Sequence, residues 1–146
     1  MEIPADTARR WIEQAQVARL ATIGPDGAPV QVPTVFVRRG DEIWSPIDGK
    51  PKAGGELARV RNIRAEPRVH LLVDGYDPDW RRLWWIQIAG RASIESASST
   101  RSAPALAALR AKYPQYRVTP LSDSSDTLIA IRILRVRTWA ASSEAW

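Results

Sequence analysis

The segment from Ser45 to Lys52 brings together residues whose types and spacing are suited to holding an anion. Its sequence is Ser-Pro-Ile-Asp-Gly-Lys-Pro-Lys, and Lys50 and Lys52 are two of only three lysines in the 146-residue chain. An ammonium group is a compact point charge on a flexible stem. A helix that begins beyond the glycine pair at 54–55 also offers backbone N–H groups without partners inside the helix. The segment therefore predicts a cradle for a phosphate.

The elements that must position this cradle follow from hydrophobic patterning. Apolar and β-branched runs predict strands at 17–23, 30–38, 42–47, 68–74, 83–94 and 128–138, the last alternating isoleucines with arginines. Helical spacing predicts helices at 8–16, 56–65 and 102–112. Six strands with helices between them predict a mainly β fold with flanking helices, a small antiparallel barrel. We expect one domain over residues 1–146.

Three kinds of local signal refine this scheme. Asp6 and Thr7 stand where a side-chain cap of the first helix is expected. The sequence Gly-Pro-Asp-Gly at 24–27 and the glycine at 40 predict hairpin turns. Gly90 interrupts a long strand and predicts a bulge or bend.

The residue inventory excludes many catalytic sites. The chain has no cysteine, which rules out disulfides, thiolate metal sites and cysteine nucleophiles. Its one histidine, His70, lies in a predicted strand and is interpreted as structural. Asp74, Asp77 and Asp79 lack the pattern of a calcium loop and are interpreted as turn and cap residues. We therefore predict no metal site, identify no catalytic residue, and expect a bound cofactor to carry any chemistry.

The charge of the chain and its distribution indicate which kinds of partner to expect. The net charge is +5 and the isoelectric point is about 10.2, which favours an anionic ligand. The arginines are spread along the sequence and no nucleic-acid-binding motif is present, so nucleic acid is not expected as a partner. No apolar run reaches the length needed to cross a membrane, and the charged N-terminus does not resemble a signal peptide. We expect a cytoplasmic protein without membrane contact.

The order of motifs resembles a known family. The motifs lie at 18–22, 27–33, 45–52, 61–63 and 67–69, followed by Trp80 and by Leu83-Trp84-Trp85. Together they are similar to the flavin/deazaflavin-binding split β-barrel superfamily of the pyridoxamine-phosphate-oxidase type. The Lys-Pro-Lys and Leu-Trp-Trp segments most resemble its branch of F420-dependent enzymes. The resemblance covers residues 15–95 and the final strand.

This resemblance implies a six-stranded antiparallel split β-barrel of the FMN-binding type. It also implies a homodimer with cofactor sites at the subunit interface. The cofactor would be F420, with FMN as the alternative; F420 suits the basic surplus better because its tail carries a phosphodiester and several glutamates. Lys50 and Lys52 would hold the cofactor phosphate, and Arg61 and Asn62 would assist them. The remaining predicted contacts are Ser45, Pro46 and Ile47 beneath the phosphate, Gln31, Val32, Pro33 and Thr34 at the ring edge, and Trp84 and Trp85.

Strand and helix geometry predicts that neighbouring candidates face different sides. Successive strand residues face opposite sides, so only one of Trp84 and Trp85 can pack in the barrel, while the other covers the cofactor or packs at an interface. Arg59 and Arg61 differ by about 200° around a helix, and Arg59 is interpreted as the solvated one.

The predicted function is an F420-dependent oxidoreductase that transfers a hydride between the deazaflavin and an unidentified small organic substrate. Two alternatives remain open within this fold: an FMN-dependent oxidoreductase, and a non-catalytic protein that binds a flavin, deazaflavin or haem. A module that binds nucleic acid or another anionic partner stays open on the basis of charge alone.

Overall fold

A computed structural model of the chain describes residues 1–47, 56–121 and 126–146, so Lys50 and Lys52 lie outside the described residues. The described part contains three α-helices and seven strands. In chain order they are α1 (Ala5–Gln14), β1 (Ala18–Ile23), β2 (Pro29–Thr34), β3 (Val37–Arg39), β4 (Glu42–Pro46), α2 (Ala58–Ala65), β5 (Arg68–Gly75), β6 (Trp84–Ser96), α3 (Ala103–Lys112) and β7 (Thr127–Ala140). No helix in this part of the chain is long and apolar enough to cross a membrane.

The seven strands form one antiparallel sheet that is not closed, in the order β2-β1-β5-β6-β7-β4-β3. The mainly β prediction with flanking helices is confirmed, but the predicted number of six strands is wrong. The stretch predicted as one strand at 30–38 is divided into β2 and β3, which pair with different neighbours, β1 and β4. Because β2 and β3 are consecutive in the chain yet lie at opposite edges of the sheet, the sheet must curl to bring its edges together.

The division at 35–36 has a physical cause in the hydrogen bonds of Phe36. Its backbone N–H donates to the Tyr113 hydroxyl at 3.0 Å, and its carbonyl accepts from Lys112 Nζ at 2.9 Å. These side chains come from the end of α3 and replace the ladder partners that a continuous strand would need. The chain can therefore leave one edge of the sheet and join the other without leaving buried polar groups unpaired.

The structure confirms the two predicted turns but not the predicted helix cap. Gly27 and Gly40 have φ values of 81° and 62°, as the two predicted hairpin turns require. The predicted cap by Asp6 and Thr7 is wrong, because α1 begins at Ala5 directly after Pro4 and has no side-chain cap. Pro4 occupies the N-cap position, and its carbonyl accepts the hydrogen bond from the Ala8 N–H at 2.9 Å that closes the first turn.

The predicted bulge at Gly90 is confirmed. The pairing of β6 with β7 shifts register between Ala89 and Gly90. A Cβ atom at position 90 would lie 2.5 Å from the Ile131 side chain and 2.9 Å from the Arg132 carbonyl, so only glycine allows this approach.

Two apolar clusters cover the two sides of the sheet. The larger one, inside the curl, includes Leu20, Phe36, Ile43, Leu71, Ile86 and Ile88, all essentially without exposure to solvent. The second lies between α3 and the strands at the other edge and includes Trp44, Leu109, Tyr113 and Leu128. Burial of these side chains on both sides fixes the register of the strands, because a slip by one residue would exchange the two faces.

The buried ammonium of Lys112 predicts a pH dependence of stability. Desolvation lowers the pKa of Lys112 from its usual 10.5 to about 8, although the ammonium also lies 4.2 Å from the centre of the Phe36 ring. Between these two values the unfolded chain holds the proton that the folded chain releases, so stability increases as pH rises through this window. We expect this increase, up to about 1 kcal/mol between pH 7.5 and 9.5 after allowance for partial exposure, to be lost in Lys112→Met.

Urea unfolding of both proteins at several pH values measures this difference. The window stops below the range of Tyr113, whose pKa is raised by burial. Parallel pH profiles for the two proteins would contradict the assignment.

Candidate functional site

The strand register brings several predicted site residues onto one face of the sheet, here called the outer face. Directly paired residues share a face, and the pairs define two rows across β2, β1, β5, β6 and β7. The first row is Gln31, Ala21, His70, Ala89 and Arg135, and the second is Pro33, Arg19, Leu72, Gln87 and Arg137.

The first row of the outer face has a neutral middle and a basic side, whereas the second row also contains Arg19, which is paired with Asp74. Ala21 and Ala89 have short side chains on either side of His70, which is half-buried. Arg135 and Arg137 stand at the β7 side of the rows. At the other side, β2 has a neighbour on one side only among the described strands, so part of its backbone can contact a ligand.

The other predicted ring contacts lie on the opposite, inner face. Val32 packs against the larger apolar cluster, and Thr34 is buried. The hydroxyls of Thr34 and Ser45 contact each other, and Ser45 Oγ also donates to the Val35 carbonyl at 2.9 Å. The structure therefore separates Gln31 and Pro33 from Val32 and Thr34, as strand alternation requires.

The residues predicted to lie beneath the phosphate are inaccessible in the described chain. Ser45 and Ile47 are 0% and 1% exposed, and Pro46 is also buried. Their side chains are occupied by packing, and their role toward a cofactor stays a prediction.

The two adjacent tryptophans face opposite sides, as predicted. Trp84 lies on the inner face, where its ring centre is 4.3 Å from that of Trp11. Its indole also covers Gly75, at which a Cβ atom would come within 2.2 Å of Trp84 Nε1. Trp85 lies on the outer face and stacks on Trp139 at 6.4 Å and 17°. Of the pair, Trp85 shares the face of Gln31 and Pro33.

Helix α2 connects to the sheet through Asn62. The Asn62 side chain is buried, and its Nδ2 donates to Thr22 Oγ1 at 3.1 Å. Arg61 is exposed and donates to the Glu56 carbonyl at the start of the same segment. Arg59 is half-buried rather than solvated, so the interpretation of Arg59 as a solvated charge is wrong. It packs more closely than Arg61 because it lies on a different side of the helix.

A cavity of about 300 Å³ lies over β1 and β5. It is lined mainly by apolar groups, with Thr22, Arg68 and His70 among them. Arg68 is held by Glu66 at 2.8 Å, and this guanidinium keeps the pKa of Glu66 below its usual range. Because Ala21 and His70 line the cavity, it opens on the outer face that also carries Gln31.

Asp77 and Asp79 have the turn and cap roles predicted for them, but the same prediction is wrong for Asp74, which lies within β5. Asp77 accepts from the backbone N–H of Asp79 at 2.8 Å, and Asp79 caps the short 3-10 turn Trp80–Arg82. Asp74 pairs with Arg19 at 3.0 Å. Within residues 1–47, 56–121 and 126–146, no group of histidine and acidic side chains is placed to hold a metal ion.

Five polar residues in the two rows were not among the predicted contacts: Arg19, His70, Gln87, Arg135 and Arg137. Strand alternation indicates that Arg135 and Arg137 share one face. The strand order needed to place that face opposite Gln31 depends on pairings between segments far apart in sequence, so pattern alone did not identify it.

Comparisons with known proteins agree with this architecture. A family model described as pyridoxamine 5'-phosphate oxidase matches residues 4–140. This match confirms the predicted resemblance. No curated protein matches the chain.

Three solved structures are similar to it. A protein described as an F420 reductase is 25% identical, with a TM-score of 0.63 and coverage of 88% of this chain and 94% of that chain. A putative pyridoxamine 5'-phosphate oxidase from Listeria innocua is 23% identical, with a TM-score of 0.65 and coverage of 91% and 95%. HutZ, a haem storage protein from Vibrio cholerae, is 14% identical, with a TM-score of 0.71 and coverage of 96% and 95%. The last two establish likeness of fold alone.

The buried contact between Asn62 and Thr22 predicts a structural cost of mutation. Replacing Asn62 with alanine removes a buried hydrogen bond and leaves the Thr22 hydroxyl without it, so we expect a loss of about 1–2 kcal/mol in the free energy of unfolding. In a double-mutant cycle with Thr22→Val, the two changes should couple by about 1 kcal/mol. The matched control is Arg61→Ala on the exposed side of the same helix, which should change stability by less than about 0.5 kcal/mol. Additive effects of the first two changes would contradict the assignment.

Proposed function

We propose that this chain, which belongs to the pyridoxamine 5'-phosphate oxidase family, is an F420-dependent oxidoreductase that acts on a small organic substrate. The observation that carries the proposal is the outer face, where the short side chains of Ala21 and Ala89 lie between the edge strand β2 and the arginines of β7. Arg19, in the neighbouring row, is paired with Asp74. The 25% identity with a protein described as an F420 reductase supports the choice of deazaflavin.

The residues present on this face fit a ring-bearing, anionic cofactor. Ala21 and Ala89 have short side chains, which leave space for a ligand above the middle of the face. Leu72 provides apolar surface on which a ring can lie. Edge backbone groups of β2 can bond a ring's polar atoms. Arg135 and Arg137 supply positive charge on the same face, and the predicted phosphate ligands Lys50 and Lys52 lie in the segment that precedes α2.

When bound, the deazaflavin supplies the hydride chemistry. The chain's own residues bind, orient and shield it: Lys50 and Lys52 hold the phosphate, with Arg61 assisting, and Gln31 and Pro33 border the ring. Asn62 acts by fixing α2 against β1 rather than by direct contact. In this proposal no side chain is assigned as a proton donor, and solvent is the expected proton source.

A homodimer is part of the proposal. Trp139 is 37% exposed and stacks on Trp85 at the end of the outer face, next to the exposed Trp80 and Tyr76 of the preceding loop. Aromatic surface of this kind is typical of protein interfaces. A second subunit on this face would enclose the cofactor and form the substrate pocket.

Charge reversal tests the phosphate assignment. The Lys50→Glu/Lys52→Glu protein should bind F420 at least about tenfold more weakly than the unchanged chain, because two ammonium contacts become repulsive. The matched control is Arg10→Glu/Arg117→Glu, which makes the same change in net charge at two exposed arginines elsewhere. Fluorescence titration measures all three affinities.

Two results would overturn the proposal. Equal weakening by both double variants would show a general charge effect rather than a site. Tight binding of FMN without binding of F420 would assign the chain to flavin chemistry instead. Turnover of reduced F420 with several electron-poor acceptors separates an enzyme from a protein that only binds the cofactor.

Haem binding is the second candidate function, and His70 is the observation that favours it. His70 is the only histidine in the chain, and it lines a mainly apolar cavity that a haem edge could enter. HutZ, which shares the fold, is described as a haem storage protein.

His70→Ala distinguishes the two candidates. Under the F420 proposal, the change should leave F420 affinity within about threefold, and the absorption spectrum with added hemin should be the same in both proteins. A Soret band that depends on His70 would instead assign the chain to haem binding.

A further inference from the structure

A cavity of about 300 Å³ lies where the chain passes from α1 into β1, beside the end of β5, and is here called the end cavity. Its apolar lining includes Trp11, Val73 and Trp84, and its charged lining includes Arg19 and Asp74. It shares no lining residue with the cavity of similar volume over the middle of β1 and β5.

The end cavity exists because β1 and β5 separate at this end of the sheet. Their pairing stops at Arg19 and Leu72, whereas β5 continues to Gly75 beside β6. Beyond the last pair, side chains from both faces of the sheet border the gap between the two strands. The apolar lining therefore comes from the inner face, and the two charged side chains come from the outer face.

Two tryptophans form an aromatic wall of the end cavity. The ring centres of Trp11 and Trp84 are 4.3 Å apart, and the ring planes are inclined at 36° to each other. Neither tryptophan is fully buried, so each presents part of its indole to the cavity. Aromatic rings pack against one another in offset or edge-on arrangements. The wall therefore suits an aromatic group of a ligand.

An ion pair stands beside this wall. Arg19 Nη1 donates to Asp74 Oδ1 at 3.0 Å, and the two side chains are 47% and 41% exposed. Within the described part of the chain, neither side chain makes a second hydrogen bond, so Asp74 Oδ2 and the other N–H groups of Arg19 can contact a ligand. An exposed ion pair contributes little to stability, so a ligand can take over its contacts at little cost.

We propose that the end cavity binds a free α-amino acid with an aromatic side chain. Such a molecule carries an ammonium and a carboxylate on one carbon, and these groups face Asp74 and Arg19 respectively, in charge-assisted hydrogen bonds. Its ring packs against Trp11 and Trp84. The volume of about 300 Å³ is at the lower end of the range for small-ligand sites, which suits a molecule of this size. The proposal goes beyond the proposed function and does not rest on the cofactor assignment.

The test is isothermal titration calorimetry of the protein without cofactor, with L-phenylalanine as the probe. Three analogues each lack one part of the probe: 3-phenylpropionate lacks the ammonium, phenethylamine lacks the carboxylate, and glycine lacks the ring. We expect phenylalanine to bind, and each analogue to bind at least about fivefold more weakly. No binding at millimolar phenylalanine, or equal affinity for any analogue, would overturn the proposal.

Asp74→Asn tests the charge assignment through two effects of opposite sign. The variant should bind phenylalanine at least about fivefold more weakly, because the ammonium loses its carboxylate partner. It should bind 3-phenylpropionate more tightly than the unchanged chain does, because Arg19 is released from its ion pair. Weaker binding of both ligands would indicate a loss of structure and contradict the assignment.

Arg19→Gln should give the converse result, with weaker binding of phenylalanine and tighter binding of phenethylamine. The matched control is Arg64→Gln, which removes the exposed ion pair to Glu56 at 2.9 Å and should leave all affinities unchanged. Equal effects of Arg19→Gln and Arg64→Gln would refute the site. Because every titration is made without cofactor, failure of the F420 assignment would leave these results unaffected.

Discussion

The hydrogen bonds of Tyr113 and Lys112 to Phe36 allow the chain to pass between the two edges of its sheet. Without partners for the Phe36 N–H and carbonyl, a buried break at this point would leave two polar groups unsatisfied, at a cost of about 1–3 kcal/mol each. With them, β2 and β3 belong to opposite edges although only two residues separate them. The curl of the sheet, its enclosed apolar cluster and the separation of an outer face all depend on this crossing.

The passage of the chain between the two edges of the sheet affects the hydration and the pKa of Lys112. The carbonyl of Phe36 requires a donor, but a lysine that provides one must lose much of its hydration, which is why the pKa of its ammonium is lowered to about 8. The neighbouring Phe36 ring offsets part of that loss by a cation–π contact at 4.2 Å. The third lysine of the chain is thus a structural residue, whereas the other two belong to the segment predicted to hold phosphate.

Sequence patterns predicted the helices, turns and bulge better than the way in which the strands pair with one another. The helices, the glycine turns and the bulge at Gly90 depend on local chemistry, and the patterns located them to within a few residues. The break at 35–36 has no local signal, because its cause is a pair of side chains more than 70 residues away. The separation of Trp84 from Trp85 followed from strand alternation, but which of them shares a face with Gln31 required the register across five strands.

The same register brings together arginines that are dispersed along the sequence. Their spacing along the sequence argued against nucleic acid as a partner. In the folded chain, however, pairing aligns Arg68 with Arg91 and Arg91 with Arg132, so like charges lie directly opposite one another. Such pairs oppose sheet formation by a few tenths of a kcal/mol each. Salt bridges such as Arg68 to Glu66 offset only part of this repulsion, because exposed pairs contribute little. An anion that binds to these arginines stabilises the folded chain. The free energy of unfolding of the sheet therefore depends on the charge of its ligands.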